Sequence, residues 1–190
     1  MIIGLIPARG GSKRLPRKNI LPFNGRPLIA WTILEAAKSA YLDEIFVSTE
    51  DEEISLVSQS YGVDIIRRPL DLAVDTAPMY PTILHAIKRA NLSDNDAVCL
   101  LHPTSPLRRY EDIDACCSLL SDSAGARAVV SVTDGKTEPN GAVYVGRVDW
   151  LKSGGNFDVG ERLLYEMPPD RSFDINTRED FDAAEKSVTG

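Results

Sequence analysis

Met1-Ile2-Ile3-Gly4-Leu5-Ile6-Pro7-Ala8-Arg9-Gly10-Gly11-Ser12-Lys13-Arg14-Leu15-Pro16-Arg17-Lys18-Asn19-Ile20 opens the chain as an apolar run that empties into a Gly-Gly turn and a basic loop. Residues 2–6 read as a buried strand, a short continuous apolar run bounded by turn residues. No acidic residue occurs before Glu35, whereas Arg9, Lys13, Arg14, Arg17, Lys18 and Arg26 all fall in that stretch. The 190-residue chain has a net charge of -7 at pH 7, so one cationic loop sits on an acidic body. That contrast suits a polyanion small enough for one loop, and a triphosphate is the natural candidate. A merely solvated basic loop would have no use for the glycines and prolines that shape this one.

With 43% hydrophobic residues, the chain is long enough to bury the core of a single domain, taken as residues 1–190. Its acidic balance argues against nucleic acid and against an anionic membrane as partners, since both would be repelled. No apolar run reaches membrane-spanning length. Met1 leads directly into a core strand, so no secretory leader is expected and a cytoplasmic location is. Cys99, Cys116 and Cys117 are odd in number and lack metal-ligand spacing, which reads as reduced thiols packed in a core.

Beyond the opening, short apolar runs alternate with helical patterns. Strands are expected at 45–48, 63–66, 97–101, 128–132 and 142–145. Helices are expected from Pro27, over 51–61 with an acidic first turn, from Thr76 and Pro78 through Ile87, over 110–120, and after a Thr177/Asp180 cap. This alternation indicates an α/β fold with a mainly parallel sheet. Ligands bind such sheets where strands end and loops begin. The loops at 7–19, 48–51, 67–76, 102–109 and 172–177 are the ones rich in Gly, Pro and polar groups, and they are expected to converge on one edge.

The Gly-Gly-Ser-Lys run is neither a Walker loop nor a dinucleotide fingerprint, because the spacing of both is absent. Its chemistry still points to phosphate. Gly10 and Gly11 let backbone N–H groups approach phosphate oxygens, Lys13 and Lys18 supply compact charges, and Arg9 can fork onto two oxygens.

The run IPARGGSKRLPRKNI closely resembles the signature of the acylneuraminate cytidylyltransferases, or CMP-sialic acid synthetases, which join CMP to the anomeric hydroxyl of a keto-sugar acid. Val47-Ser48-Thr49-Glu50, Arg68-Pro69 with Leu72-Ala73 and Asp75-Thr76-Ala77, and Leu101-His102-Pro103-Thr104-Ser105-Pro106-Leu107-Arg108 resemble further family motifs. So do Asn140-Gly141-Ala142-Val143-Tyr144-Val145 and Ser172-Phe173-Asp174-Ile175-Asn176-Thr177, in family order over nearly the whole chain. The resemblance implies a three-layer Rossmann-like sheet of the nucleotide-diphospho-sugar transferase type. It implies that Arg9, Lys13 and Lys18 act on the triphosphate of CTP, with Ala8, Gly10, Gly11 and Ser12 lining the nucleotide. Asn19, Arg68 and Ala77 match positions that contact base and ribose, and His102, Thr104 and Ser105 fall on the sugar side. Asp174 is the implied Mg2+ ligand. The family's second carboxylate is here Asn176, whose amide oxygen carries no formal charge, so weaker metal binding is expected.

Two departures fall on the acceptor side. His102 replaces a glutamine; it can donate to or accept from a sugar group, or serve as a base. Between Val130-Ser131-Val132 and Asn140, family members carry a longer segment that reaches across a partner subunit. Here only residues 133–139 remain, with Asp134-Gly135 and Pro139, enough for a turn and not for a dimerisation arm. A changed or more open acceptor site is expected, with a homodimer left open but its usual segment missing. The expected activity is a Mg2+-dependent cytidylyltransferase. The alternatives are a non-catalytic nucleotide-binding relative and a transferase acting on a 3-deoxy-octulosonate, the latter disfavoured by the first loop.

Overall fold

In the computed structural model, which describes residues 1–74 and 77–189, the opening apolar run is strand β1 (Ile2–Pro7). β1 is buried from Ile3 onward, as a strand covered on both faces requires. The basic loop follows, and then a two-residue hairpin, β2 (Pro22–Phe23) and β3 (Arg26–Pro27), turns at Asn24 and Gly25. Both turn residues have positive φ, 45° and 79°, the twist that a tight hairpin needs. Helix α1 (Leu28–Ala36) starts directly after Pro27. Strand β4 (Glu44–Thr49) leads into α2 (Glu52–Ser60), whose cap Asp51 accepts from the Ile54 N–H at 3.0 Å.

Strand β5 (Asp64–Arg67) precedes α3 (Met79–Arg89), and β6 (Ala97–Leu100) precedes α4 (Tyr110–Asp122). Strands β7 (Ala128–Thr133) and β8 (Pro139–Arg147), helix α5 (Val148–Lys152), strand β9 (Leu163–Met167) and helix α6 (Arg178–Thr189) complete the chain. Among the described residues, seven strands form one sheet in the order β5-β4-β1-β6-β8-β7-β9. Only β8 runs against its neighbours β6 and β7; the other pairings are parallel.

The sheet is covered on both faces, which gives three layers. One core joins Ile29 and Ile33 of α1, Ile54 of α2 and Ile113, Cys116, Cys117 and Leu120 of α4 to one side of the strands. Ile83, Ala86 and Ile87 of α3 and Val148 and Leu151 of α5 cover the other side. All three cysteines are buried free thiols. A third, smaller cluster gathers Leu15, Phe23, Leu28, Ile175, Phe181 and Ala184. It packs the basic loop and the hairpin against the segment before α6, with Phe23 edge-on to Phe181 at 5.3 Å between ring centroids.

The expected strands and helices are present to within a few residues, with small corrections. α1 starts one residue after Pro27, whose fixed φ sets the entry. α3 starts at Met79 with Pro78 before it, and Asp75 and Thr76 lie outside the described residues. Asp180 accepts the N–H groups of Asn176 and Thr177 at 2.9 and 2.8 Å and donates its own to Thr177 Oγ1 at 3.3 Å, which makes the anticipated cap before α6. Strand β9, helix α5 and the hairpin were not anticipated. β9 is an edge strand that carries apolar Leu164 on its exposed side, which breaks the alternation in the sequence, and the other two are too short to show a period.

Asp112 ties three of these elements together from a position of zero exposure. It accepts from the Arg109 N–H at 2.9 Å, from Tyr165 Oη on β9 at 3.2 Å and from Arg171 Nη2 at 3.0 Å. Asp112→Ala would strand the largely buried Arg171 guanidinium. A loss of about 3 kcal/mol in unfolding free energy is expected, read by urea denaturation.

Candidate functional site

The loops that follow β1, β4, β5 and β6 meet at one edge of the sheet. β8, running the other way, starts at that same edge. The basic loop is held there by the acidic body. Gly10 N–H donates to Glu50 Oε1 at 2.7 Å. A Cβ at Gly10 would come within 2.2 Å of Asp51 Oδ2, so only glycine lets the loop lie this close. Arg17, in the left-handed region at φ 57°, forks onto Asp51 at 2.5 and 3.1 Å and reaches Glu53 at 2.5 Å. Arg17 is therefore a strut that points away from the site. Its guanidinium holds the Asp51 carboxyl below the usual carboxylate range.

Of the other cations of the loop, Arg9 and Lys18 are half-buried, whereas Lys13 and Arg14 are exposed. Lys18 Nζ donates to the Ile175 carbonyl at 2.8 Å. Burial pushes the Lys18 ammonium down from its ordinary value; Asp174 opposes that shift, while Arg14 and Arg9 add to it. Arg68 is 7% exposed and fixed on Ser48, with Nη2 on the carbonyl at 2.5 Å and Nε on Oγ at 3.3 Å. Burial lowers it as well; Glu50 counteracts and Arg9 again adds repulsion. Arg9, Arg14, Lys18 and Arg68 thus form one mutually repelling group at the strand edge, a standing attraction for a polyanion.

The other expected nucleotide positions fall around it. Ala8 is buried and its N–H bonds the Ser48 carbonyl at 3.0 Å. Ser12 N–H closes a tight turn on the Gly10 carbonyl at 3.0 Å, with Gly11 and Lys13 exposed. Asn19 is buried and its Nδ2 donates to the Arg9 carbonyl at 2.9 Å, so it shapes the loop. Ala77, half-buried, bonds back to Val74 at 3.0 Å in the loop after β5.

Across the gap lies the irregular segment 172–177. Asn176 Nδ2 donates to Asp174 Oδ2 at 2.7 Å, which puts both side chains on one side, and Arg14 Nη2 donates to Asn176 Oδ1 at 2.9 Å. The Ile175 N–H bonds the Thr104 carbonyl at 2.8 Å and so locks this segment to the loop after β6. At Gly141, with φ 85°, a Cβ would lie 3.5 Å from Asp174 Cγ and 3.6 Å from Ser105 Oγ. Ser105 Oγ is buried and lacks a partner among the described residues. A carboxylate and an unsatisfied hydroxyl therefore face the space left by the missing side chain. Among the described residues, no three His, Cys, Asp or Glu groups are arranged to hold a metal by themselves. A hard divalent cation fits here as one that takes Asp174 and completes its shell from phosphate oxygens and water.

Beside Asp174 opens a cavity of about 370 Å³ lined by Met79, Tyr80, Ile83, His102, Tyr144 and Phe157, with Asn156 and Asp158 at its wall. Aromatic contacts run through it: His102 to Tyr144 at 5.6 Å, Tyr144 to Phe157 at 5.5 Å and Phe157 to Trp150 at 5.3 Å between ring centroids. Burial pushes the His102 imidazole down to about 4, with Asp174 resisting, and pushes Tyr144 up to about 12. His102 is then neutral at neutral pH, able to donate from one nitrogen and accept at the other, and so hard to protonate that it makes a poor general base. The wall at 154–158 was missed in the sequence. Its one signal is Gly154-Gly155, where a Cβ on Gly155 would collide with Trp150 at 2.2 Å.

Known proteins bear on this arrangement. A family model described as "Cytidylyltransferase" matches residues 3–143. An N-acylneuraminate cytidylyltransferase of Escherichia coli O18:K1:H7 is 32% identical over 96% of this chain and 51% of its own length. A CMP-N,N'-diacetyllegionaminic acid synthase of Legionella pneumophila is 39% identical over 73% of this chain and 60% of its own. The chain thus spans about half to three-fifths of the length of these curated relatives. The first match runs over 215 positions, more than this whole chain, so that relative holds inserted residues with no counterpart here. A solved structure of CMP:2-keto-3-deoxy-manno-octonic acid synthetase complexed with CTP superposes with a TM-score of 0.78. It covers 99% of this chain and 98% of its own at 16% identity, a likeness of fold. No helix among the described residues is long and apolar enough to cross a membrane.

His102 makes the fold sensitive to acid. An unfolded histidine titrates near 6.5, whereas the folded one resists the proton until about 4. Between those values the unfolded chain binds a proton that the folded chain refuses, so stability falls as pH drops through that window. His102→Gln is expected to lose less stability than the parent between pH 6.5 and 4, measured as the shift in urea midpoint.

Proposed function

The chain belongs to the cytidylyltransferase family, and we propose that it transfers CMP from CTP to the anomeric hydroxyl of a sialic acid or related keto-sugar acid, with release of pyrophosphate. What carries this reading is the buried Lys18 ammonium, repelled by Arg9 and Arg14 and faced by the Asp174 carboxylate. A triphosphate relieves that repulsion, and its α-phosphorus lies naturally between the cationic loop and Asp174. The names of the relatives, which join CMP to N-acylneuraminate and to N,N'-diacetyllegionaminic acid, support the acceptor class.

In this reading Arg9 and Lys13 clasp the β- and γ-phosphates, the Gly10–Ser12 turn admits their oxygens, and Lys18 stabilises charge developing on the α-phosphate and the departing pyrophosphate. Arg68, Asn19 and Ala77 border the nucleoside. Asp174, with the Ser105 hydroxyl nearby, would hold Mg2+ brought in by the triphosphate. The cation would supply neutralisation of the non-bridging oxygens. His102 and Tyr144 orient the acceptor so that its hydroxyl oxygen attacks in line, and most of the rate comes from that positioning and from charge neutralisation. The Asn176 oxygen, occupied by Arg14, favours a second reading in which nucleotide is bound and not turned over.

Pyrophosphate release from CTP with a panel of keto-sugar acids decides between the two; nucleotide binding without any release favours the second. Replacing Arg9 and Lys13 together by alanine is expected to weaken CTP binding at least tenfold by calorimetry, given about 1.5–3 kcal/mol for hydrogen bonds to charged groups. Asn176→Asp restores a second carboxylate beside Asp174. It is expected to lower the Mg2+ concentration for half-maximal activity, and an unchanged requirement would remove Asn176 from the metal's surroundings.

A further inference from the structure

Most of the wall of the 370 Å³ cavity beside Asp174 is hydrocarbon. Met79, Ile83, Leu100 and Phe157 line it from α3, β6 and the segment after α5, together with the rings of Tyr80 and Tyr144. The two tyrosine hydroxyls are engaged elsewhere. Tyr80 Oη donates to the Leu151 carbonyl at 2.5 Å, and Tyr144 turns its hydroxyl toward the Gly141 N–H. Asn156 Oδ1 accepts from the Asp158 N–H at 2.9 Å. Among the described lining residues, the His102 imidazole, the Asn156 amide nitrogen and the Asp158 carboxylate are left to meet a ligand's polar atoms. The wall is also tightly packed. Phe157 is held between Tyr144 and Trp150, and Cβ atoms at Gly146 and Gly155 would come within 2.8 Å of Phe157 and 2.2 Å of Trp150.

Such a wall sorts acceptors by their substituents. Every keto-sugar acid carries a carboxylate and an anomeric hydroxyl at its reacting end. The far end differs: it bears either a row of hydroxyls or acylamino and methyl groups in their place. Each hydroxyl buried against hydrocarbon gives up its bonds to water and finds few replacements here. An acylamino group fits both parts of the wall. Its methyl packs on Met79, Ile83 and Phe157, and its N–H is a donor for Asp158, which as a carboxylate only accepts. We infer that this chain takes as acceptor a keto-sugar acid with two acylamino groups and a methyl-ended tail, in preference to N-acetylneuraminate with its hydroxylated tail. This rests on the reading of the chain as a keto-sugar acid cytidylyltransferase and narrows its substrate.

Pyrophosphate release from saturating CTP, with N,N'-diacetyllegionaminate and N-acetylneuraminate as acceptors, tests it. The first acid replaces two tail hydroxyls of the second by an acetylamino group and a hydrogen. Its kcat/KM is expected to be higher by about tenfold or more. Met79→Gln puts an amide into the wall and is expected to lower that ratio by about threefold or more, while Met79→Leu keeps it. Because the ratio is taken within one protein, incomplete folding of a variant cancels. A ratio of one or less overturns the inference, and so does a ratio that Met79→Gln leaves unchanged. Release with N-acetylneuraminate alone overturns it while sustaining the reading it rests on. Absence of release with both acids removes that reading as well.

Discussion

The ammonium of Lys18 and the carboxylate of Asp174 face each other across the strand edge, and the rest of the site is arranged around that opposition. The two residues come from opposite ends of the chain, so nothing local brings them together. What does is the small apolar cluster of Leu15, Phe23, Leu28, Ile175, Phe181 and Ala184, in which Ile175 is fully buried between Asp174 and Asn176. The burial of Ile175 presents its neighbours on either side to the gap, while its carbonyl accepts from the Lys18 ammonium and its N–H donates to the Thr104 carbonyl. A few apolar side chains thus fix an electrostatic geometry that their own region of the chain could not hold.

A loop with this much positive charge would repel itself if left alone. The body answers with acids that bind the loop's frame. Glu50 takes a backbone N–H, and Asp51 and Glu53 take Arg17, the cation that points outward. Among the described residues Arg68 has no carboxylate at contact distance, and it rests on the dipoles of Ser48. The acidic composition of the chain and its cationic site are therefore two sides of one design: acid in the scaffold, base at the edge.

Legibility from the sequence follows the same division. The buried parallel strands and their amphipathic helices were readable because burial on both faces writes continuous apolar runs, as in Ile2–Pro7, and because glycines and prolines mark their ends. The convergence of loops followed from the parallel topology alone. The edge strand at 163–167 was hidden because half of it faces solvent and its alternation is diluted. Sequence gives the charge of Arg17 and not its left-handed backbone, which aims it at Asp51. The aromatic wall at 154–158 was hidden for a different reason: Trp150 sits in the five-residue helix α5 and Phe157 in the irregular segment after it, and neither is long enough to show a period, although the two rings pack together and against Gly146.

The antiparallel strand β8 explains why so short a turn can serve the site. The parallel strands finish at the functional edge, and a chain leaving β7 there would ordinarily have to cross the sheet to start again. Because β8 reverses direction, the chain re-enters the sheet at the same edge, and the residues of its first turn, Asn140 and Gly141, lie beside Asp174 and Ser105 with no crossover. Whatever occupies the connection is held over the site by both strands. Residues 134–138 are pinned to β9 by the Asp134 N–H on the Met167 carbonyl, which holds the turn beside that edge.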